Sequence, residues 1–370
     1  MGTALSKAAS AAGHKVFGLD NDLERISELK KIVSYEIFST FPKGQDFDSV
    51  IIAVPTPLNV HRKPDLTYLE SACRGLASNL QKSTLIINES TSYPGTLRNL
   101  IAPILGANHL YATAPERVDP ANETWKIKNT PRLISGLTSE ATEQALALYR
   151  TFCEVVVEVS TPEVAEAAKL FENTFRQVNI ALANEFAQIC EVLGISAWEA
   201  LDAAETKPFG FMRFSPSMGV GGHCIPIDPL YLLNEAKSRG YEAKLISQAD
   251  RINQENINFV LRRILEEFGS VKGKKVQIAG LSYKPGVNDL RESKATALML
   301  KLREEGAEVI WHDEYVLSWG GEKSAPIQSV DLGIIATPHP NVDYSRWISE
   351  NTKVVDVSPY KKISGVRKIF

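Results

Sequence analysis

Short, continuous apolar runs alternate with helix-length amphipathic segments along most of the chain. Runs rich in Val, Ile, Leu and Phe occupy residues 15–20, 50–54 and 84–88. Continuous apolar runs, as opposed to alternation with polar residues, are typical of strands that helices cover on both faces. The N-terminal part is therefore predicted to be an α/β domain with a doubly wound, parallel sheet.

The pattern of the N-terminal strands returns near the C-terminus. The spacing Gly-x-x-Val-x-x-x-Asp occurs at residues 13–20 and again at 306–313. Likewise, Asp-x-x-Ile-Ile-Ala-x-Pro occurs at 48–55 and at 331–338. This repetition predicts two Rossmann-like modules in one chain.

A helical segment separates the two modules. Residues 162–194 have the pattern of one long helix that opens with Ser-Thr-Pro-Glu, and residues 229–268 continue the pattern with a break at Gly240. The Gly- and Lys-containing stretch 271–274 resembles a hinge. The predicted domains are an N-terminal Rossmann-like domain (1–160), a central helical domain (161–268) and a C-terminal Rossmann-like domain (269–370).

The two modules differ at their start. The C-terminal copy opens with a strand pattern at 276–281, whereas only twelve residues precede Gly13. Because the first strand of such a sheet lies between strands 2 and 4, the strands at 15–20 and 50–54 are expected to lack a neighbour. We expect the N-terminal domain to lack its first strand, either because the numbered start lies too far downstream or because the protein is shortened.

Composition excludes several classes of protein. There are 41 Lys and Arg against 44 Asp and Glu, a formal net charge of -3, which gives no electrostatic basis for binding nucleic acid or an anionic membrane. No apolar run reaches the length of a membrane span, and the N-terminus lacks the apolar core of a signal peptide. The four cysteines have no CxxC spacing, so neither zinc nor a disulfide framework is indicated. We expect a cytoplasmic protein without a metal.

The dinucleotide-binding signals are incomplete. A full site has G-x-G-x-x-G followed by an acid about 20 residues later. Here Gly2 leads into the first helical pattern, and Asp20 follows at the end of a strand, where it could accept the ribose hydroxyls. Arg25 could reach the adenine or the ribose. Capping of the next helix by Asp20 and a solvated surface charge at Arg25 remain the alternatives.

Two loops after predicted strands carry further candidates. Val54 and Thr56 lie in a Pro-rich loop, and Ser90 and Thr91 lie in the next one. Ligands of open α/β sheets bind outside the carboxyl ends of the strands, although these residues also suit ordinary turns. Glu116 follows the next strand pattern and is a candidate by position.

A glycine-rich turn carries the strongest nucleophile candidate. Residues 217–229 contain three glycines, among them Gly221, followed by Cys224 just before a predicted helix. A thiol near a helix N-terminus has its thiolate stabilised by the helix dipole. Asp228 could orient a water or a neighbouring side chain. A protease-like pair of Cys224 with His223 is the weaker alternative, and the other three cysteines are expected to be buried apolar residues.

Lys169 and Asn173 lie one turn apart on the long predicted helix. An ammonium and an amide on one face can together stabilise an oxyanion. The alternative is a surface lysine paired with Glu166 or Glu172.

Together, these residues resemble the UDP-glucose/GDP-mannose dehydrogenase family. The resemblance covers nearly the whole chain and is carried by the Gly-Gly-x-Cys turn at 221–224, the Lys-x-x-x-Asn helix at 169–173 and the Tyr-Lys-Pro and Arg-Glu-Ser motifs within 283–293. Segments 204–211 and 222–226 are most similar to the branch that oxidises UDP-N-acetylhexosamines, notably UDP-N-acetylglucosamine. UDP-glucose is the next choice.

The resemblance implies a four-electron oxidation of the sugar C6 alcohol to a carboxylate with two NAD. Cys224 would capture the aldehyde as a thiohemiacetal, and the second oxidation would leave a thioester that water hydrolyses. Lys169 and Asn173 would stabilise oxyanions. The residues implied to manage water and protons are Thr91, Glu116 and Asp228.

The resemblance also implies binding residues, a homodimer or larger homo-oligomer joined through the central helices, and a role in polysaccharide biosynthesis. Residues implied for NAD are Gly2, Asp20, Arg25, Val54, Thr56, Ser90, Thr91 and Arg291. Residues implied for the UDP-sugar are Glu116, Lys169, Asn173, Arg213, Ser217, Gly221 and Lys284. Position 227 is Ile where some relatives have a cofactor-contacting Lys. Without the first strand and the glycine loop, the pyrophosphate would lose backbone donors, so weak or no NAD affinity is expected. A shortened, non-catalytic UDP-sugar-binding protein and a cofactor-free Cys hydrolase are the competing interpretations.

Overall fold

A computed structural model describes residues 2–42, 44–119, 122–349, 352–360 and 363–370. They form two compact units. The first consists of Met1–Glu172 with Leu230–Tyr241, and the second of Asn173–Pro229 with Glu242–Phe370. None of the described helices is both long enough and apolar enough to cross a membrane.

The first unit contains two sheets. Strand β1 (Phe17–Leu19) pairs in parallel with β2 (Glu36–Phe38). The second sheet has five strands in chain order, parallel except where β5 meets β6 in antiparallel register. Its strands are β3 (Ser49–Ile52), β4 (Leu85–Asn88), β5 (Leu110–Thr113), β6 (Arg132–Gly136) and β7 (Val156–Glu158).

The structure corrects one expectation about these strands. The predicted strands at 15–20 and 50–54 do not lack neighbours, since β1 pairs with β2 and β3 pairs with β4. The partner of β1 was not predicted because it has three residues, of which only Ile37 is buried, so its apolar pattern is too short to recognise. Within the described residues, β1 and β3 belong to different sheets.

Helices pack against the sheets of the first unit. The helices that lie wholly within its Met1–Glu172 part are α1 (Gly2–Ala11), α2 (Leu23–Leu29), α3 (Thr67–Ala77), α4 (Ala102–Leu105), which continues a π-helical turn (Leu97–Ile101), and α5 (Ser139–Tyr149). One core cluster joins Leu5 of α1 and Tyr149 of α5 to Ile87, Ala112 and Ile134 of the sheet. This burial fixes where the loops after β4 and β5 leave the sheet.

The second unit contains a sheet in which every pair is parallel, in the order β14-β13-β12-β8-β9. Its strands are β8 (Lys275–Ala279), β9 (Glu308–His312), β12 (Leu332–Ile335), β13 (Lys353–Asp356) and β14 (Arg367–Lys368), and a small hairpin is formed by β10 (Ser318–Trp319) and β11 (Glu322–Lys323). The repeated motifs fall on equivalent elements, because β9 ends before Asp313 as β1 ends before Asp20. In this copy β8 lies between β9 and β12.

The predicted long helices are confirmed. Helix α6 (Pro162–Leu193) begins in the first unit and ends in the second. The pattern at 229–268 forms two helices that are separated around Gly240, whose φ is +84°. The remaining described helices are α7 (Ala197–Glu205), α8 (Asp228–Ser238), α9 (Lys244–Phe268), α10 (Lys294–Glu304) and α11 (Ser345–Ser349).

Candidate active site

The loops after β3 and β4 are tied together by Ser90. Its buried hydroxyl oxygen accepts the backbone N–H of Val54 at 2.8 Å. The side-chain amide of Asn88 donates to the carbonyl of Ser90 at 3.1 Å and to the hydroxyl of Ser92 at 3.2 Å. These bonds define the turn that holds Thr91, while Thr56 is buried in the neighbouring loop.

Glu116 lies three residues after β5 and is half-buried. Its carboxylate accepts the backbone N–H of Val118. Burial raises the pKa of Glu116, and the positive charge of Lys169 acts in the opposite direction. Glu116 and Lys169 are therefore close enough for their charges to interact within the first unit.

Lys169 does not lie on the surface, so the interpretation as a surface lysine paired with a neighbouring acid is wrong. Its side chain is 8% exposed. The carboxylate of Glu172 binds the guanidinium of Arg117 at 2.5 and 3.1 Å. Since Arg117 follows Glu116 directly, this ion pair fastens the loop after β5 to helix α6.

Glu166 fastens the loop after β4 to the same helix, whereas the sequence indicated it only as an alternative partner of Lys169. Its buried carboxylate accepts backbone N–H groups from Gly95 at 2.7 Å and from Leu97 at 3.1 Å. Burial raises the pKa of Glu166 to about 8. The acid lies 69 to 71 residues from its donors in sequence, so no local motif could have revealed the contact.

Within the second unit, Asn173 and Asp228 form a buried pair. The side-chain amide of Asn173 donates to the Asp228 carboxylate at 2.6 Å. Asp228 is the first residue of α8. Asp228 therefore contacts a neighbouring side chain, and its role in orienting that side chain stays a prediction.

The turn that carries Cys224 leads into α8. Cys224 is exposed, and its carbonyl accepts the N–H groups of Ile227 at 3.2 Å and Asp228 at 2.9 Å. The other three cysteines are buried as expected, and burial raises the pKa of Cys73 to about 11. Exposure and the adjoining helix distinguish Cys224 from them.

Glycines let this turn approach the segment 283–292. Gly222 has φ +85°, and a Cβ there would lie 2.7 Å from the ring of Tyr283. A Cβ at Gly221 would lie 2.9 Å from the carbonyl oxygen of Glu292. The N–H of Gly222 also donates to the carbonyl of Arg291 at 3.0 Å. The bulky group that the glycines were predicted to approach closely is the ring of Tyr283.

The same segment carries Lys284 and Arg291. Lys284 is half-buried, and its carbonyl accepts the hydroxyl of Ser282 at 3.0 Å. The exposed Arg291 guanidinium binds the Asp289 carboxylate at 2.6 to 3.1 Å. Both candidates therefore lie in the segment that packs against the Cys224 turn.

Arg213 and Ser217 are held by groups of the protein itself. The Arg213 guanidinium contacts Asp202 at 2.5 Å and Glu205 at 2.9 Å. The hydroxyl of Ser217 donates to the carbonyl of Gly219 at 2.9 Å. Their predicted contacts with a UDP-sugar stay predictions.

The candidates near the N-terminus occupy three elements of the first unit. Gly2 opens α1, and Asp20 follows β1. The cap of α2 is Asp22, whose carboxylate accepts two N–H groups of that helix, so capping of the helix by Asp20 is wrong. Arg25 binds Glu28 at 3.0 Å on the exposed face of α2, as its surface alternative predicted.

The candidate residues divide between the units. The first unit contains Thr91, Glu116 and Lys169. The second contains Asn173, Cys224 and Asp228.

Comparisons with known proteins identify the family of the chain. Three domains of one family match the chain: the NAD binding domain of the UDP-glucose/GDP-mannose dehydrogenase family at residues 1–153, its central domain at 163–255 and its UDP binding domain at 277–360. These matches cover well over half of the sequence.

Individual relatives resemble the chain over most of its length. The UDP-N-acetyl-D-mannosamine dehydrogenase of Methanocaldococcus jannaschii is 34% identical over 95% of this chain and 86% of that protein. The UDP-N-acetyl-D-glucosamine 6-dehydrogenase of Pseudomonas aeruginosa is 34% identical over 81% of this chain and 74% of that protein. The solved structure of the UDP-D-ManNAc dehydrogenase of Pyrococcus horikoshii superposes with a TM-score of 0.87 at 31% identity, covering 100% of this chain and 96% of that one.

The family resemblance and the α/β fold predicted from the sequence are confirmed. The chain belongs to the UDP-glucose/GDP-mannose dehydrogenase family and is an oxidoreductase with an NAD-binding and a UDP-binding domain.

Proposed function

We propose that this chain oxidises the C6 alcohol of a UDP-N-acetylhexosamine to the carboxylate, with UDP-N-acetylglucosamine as the predicted substrate. The observation that carries the proposal is the buried Asn173–Asp228 pair immediately next to the turn of the exposed Cys224. The names of the relatives support the N-acetylhexosamine class and include both the gluco and the manno epimer. UDP-N-acetylmannosamine is therefore the second candidate substrate.

The residues present fit NAD at the carboxyl ends of parallel strands. Asp20 follows β1 and is not the cap of α2, which suits an acceptor for ribose hydroxyls. Val54 and Ser90 are joined by a hydrogen bond where β3 and β4 end, with Thr56 and Thr91 close by in sequence. We propose these residues and Gly2 for the cofactor, with Arg25 and Arg291 as further contacts. When bound, NAD accepts one hydride in each oxidation.

Cys224 is the proposed nucleophile. Its thiolate adds to the C6 aldehyde and forms a carbon–sulfur bond, and the carbonyl oxygen takes up a proton to give the thiohemiacetal. The second oxidation removes a hydride from that carbon and the proton from its hydroxyl, and leaves the thioester. Attack by one water then releases the carboxylate and returns the thiol.

Polar groups of the chain stabilise and move charge in these steps. An amide NH₂ has two donors, and Asp228 accepts one from Asn173. We propose that the second donor and the ammonium of Lys169 face the developing oxyanion. Thr91, Glu116 and Asp228 manage the water and its protons. Arg213, Ser217, Gly221 and Lys284 are the proposed contacts of the UDP-sugar.

We also propose that the chain forms a homodimer through the central helices. On α6, Phe175, Leu182 and Ile189 recur every seven residues and are 41%, 61% and 49% exposed. Val192 and Leu193 extend this apolar stripe. Exposed apolar stripes of this kind commonly mark protein interfaces. The reaction is proposed to take place in the cytoplasm and to supply uronic acids for polysaccharide synthesis.

The test is reduction of NAD by the purified chain with UDP-N-acetylglucosamine, UDP-N-acetylmannosamine or UDP-glucose, each at equal concentration. A higher kcat/KM for either N-acetylhexosamine supports the proposed class and identifies the epimer. Preference for UDP-glucose would contradict it. Binding of UDP-sugar without turnover would favour the non-catalytic alternative, and consumption of the sugar nucleotide without NAD would favour a hydrolase.

A further inference from the structure

A buried ionic cluster lies beside the loops of Thr91 and Glu116. Its members are Arg132, the first residue of β6, together with Glu89 and Tyr149, which are 2%, 3% and 0% exposed. Removing charges from water costs several kcal/mol per ion, and apolar residues of similar volume often replace such pairs at no loss of stability. Core packing alone therefore does not account for a guanidinium at this position.

The guanidinium of Arg132 reaches two loops at once. One nitrogen, Nη1, hydrogen-bonds to the carbonyl of Ala114 at 3.2 Å and to that of Pro115 at 3.0 Å. The same nitrogen lies 3.5 Å from the carboxylate of Glu89. The two carbonyls directly precede Glu116, and Glu89 lies two residues before Thr91.

Tyr149 holds the Glu89 carboxylate in place. Its hydroxyl donates to Glu89 at 2.5 Å, and its ring centre lies 5.7 Å from the guanidinium carbon of Arg132. The backbone adds one direct link, because the N–H of Glu116 donates to the carbonyl of Glu89 at 3.4 Å. Carboxylate, guanidinium and carbonyls thus form a continuous chain of contacts from one loop to the other.

We infer that Arg132 is a positioning residue that sets the separation between Thr91 and Glu116 through Glu89 and the carbonyls of the loop after β5. This inference rests on the proposed function of those two residues. Lysine should replace it poorly, because a flexible ammonium loses more rotamer freedom for each hydrogen bond than the pre-organised guanidinium does. An error of about 1 Å in such positioning lowers a rate by roughly 100-fold.

Arg132 also contributes to the charge balance around Glu116. Burial raises the pKa of Glu116, and both Lys169 and Arg132 oppose this effect. The carboxylate of Glu89 lies 3.5 Å from the same guanidinium. Arg132→Met, which removes the charge, should therefore shift the acidic limb of the pH profile of kcat upward, while Arg132→Lys should shift it less.

The test is a double-mutant cycle between Arg132→Lys and Glu116→Gln. We expect Arg132→Lys alone to lower kcat about 10- to 100-fold with KM for the UDP-sugar changed little. In the Glu116→Gln background the same substitution should lower kcat much less, because the carboxylate that Arg132 positions is already absent. Equal losses in both backgrounds would contradict the inference. Tyr149→Phe, which removes one donor to Glu89, replaces Arg132→Lys in the cycle if that variant does not fold.

A second measurement does not depend on activity. Amide hydrogen exchange of wild type and Arg132→Lys should show faster exchange in both loops, residues 89–97 and 114–118, with unchanged protection in α5. Unchanged exchange in both loops would overturn the positioning role. If the wild-type chain oxidises no UDP-sugar, the proposed function fails, and the exchange experiment still decides whether Arg132 holds the two loops.

Discussion

The carboxylate of Asp228 accepts a hydrogen bond from the side-chain amide of Asn173 at 2.6 Å, and both residues are buried. The bond fixes the rotation of the amide, so its second N–H points in one direction. Asp228 also follows the Cys224 turn, whose carbonyl accepts its backbone N–H at 2.9 Å. This pair connects the nucleophile candidate to the oxyanion candidate within one unit.

Removal of the Asn173 amide should therefore impair chemistry more than substrate binding. We expect Asn173→Ala to lower kcat about 100- to 1000-fold, the range seen when one oxyanion donor is lost, with a much smaller change in KM. The control is Asn179→Ala on the same helix, because the Asn179 amide caps a carbonyl of its own helix on the exposed side. Equal activity of the two variants would show that Asn173 is no oxyanion donor.

Activity should require the absence of a side chain at Gly222, and not only its backbone conformation. Gly222 and Gly240 have nearly the same φ, +85° and +84°, but a Cβ at Gly222 would meet Tyr283 at 2.7 Å whereas nothing lies within 4 Å of one at Gly240. Gly222→Ala should therefore displace the Cys224 turn and lower kcat at least about tenfold. Gly240→Ala should cost about 1 kcal/mol of stability from backbone strain alone and leave kcat intact. Loss of activity in Gly240→Ala, or its retention in Gly222→Ala, would contradict this.

Glu166 should make stability fall as the pH rises. Its pKa is raised to about 8 in the folded chain from an ordinary value of 4.5, so the folded state binds the proton more tightly. Its contribution is fully present below pH 4.5 and is lost as the pH rises through 8, at about 1.4 kcal/mol per pKa unit. The urea midpoint of Glu166→Gln, measured relative to that of wild type, should therefore rise as the pH increases from 5 to 8.5.

Glu163 provides the matched control on the same helix. Its pKa is lowered, chiefly by the hydrogen bond from Arg98 at 2.7 Å. Its contribution to stability is present above pH 4.5 and is lost as the pH falls through the lowered pKa. The difference in urea midpoint between Glu163→Gln and wild type should thus stay constant between pH 5 and 8.5. A constant difference between Glu166→Gln and wild type over this range would refute the pKa assignment of Glu166.

The apolar stripe of α6 should support dimer formation. Leu182→Glu places a charge in the centre of the stripe, where Leu182 is 61% exposed, and should convert the dimer to a monomer in light scattering at micromolar concentration. Val60→Glu, at an equally apolar position that is 93% exposed in the first unit, should leave the dimer intact. A monomeric wild type, or a dimeric Leu182→Glu variant, would contradict the proposed interface.

The sequence predicted the elements with strong local patterns. Continuous apolar runs identified β3 and β4, and the unbroken 3.6-residue pattern identified α6. The three-residue strand β2 and the antiparallel pairing of β6 were missed. Strand order and direction depend on tertiary packing, and a run of three residues carries no periodicity to recognise.

The internal repeat shows a second limit of sequence reasoning. Asp20 and Asp313 occupy the same place in the repeated motif. Asp313 accepts the N–H groups of Leu281 and Ser282 and lies 3.0 Å from His339. Against the effect of burial, the hydrogen bonds from His339 and from the backbone of Val316, Ser282 and Tyr315 hold its pKa down at about 2. An acid that is a ligand candidate in one copy is thus a structural residue in the other, and the motif alone does not distinguish the two uses.

The candidate site was predicted where its signal is local and missed where it depends on distant residues. The Cys224 turn and the Lys169 helix have distinctive spacings. Arg132 and Glu166 act on loops that are distant in sequence, so only the folded chain reveals them.

The most direct test of the central claim is the number of NADH formed per UDP-sugar consumed, measured to completion for wild type and Cys224→Ala. Oxidation of an alcohol to a carboxylate removes four electrons, so wild type should form two NADH per sugar and release the uronic acid. Without the thiol the covalent route is closed, and Cys224→Ala should form at most one. One NADH per sugar in wild type, or two in Cys224→Ala, would contradict oxidation through a thioester on Cys224.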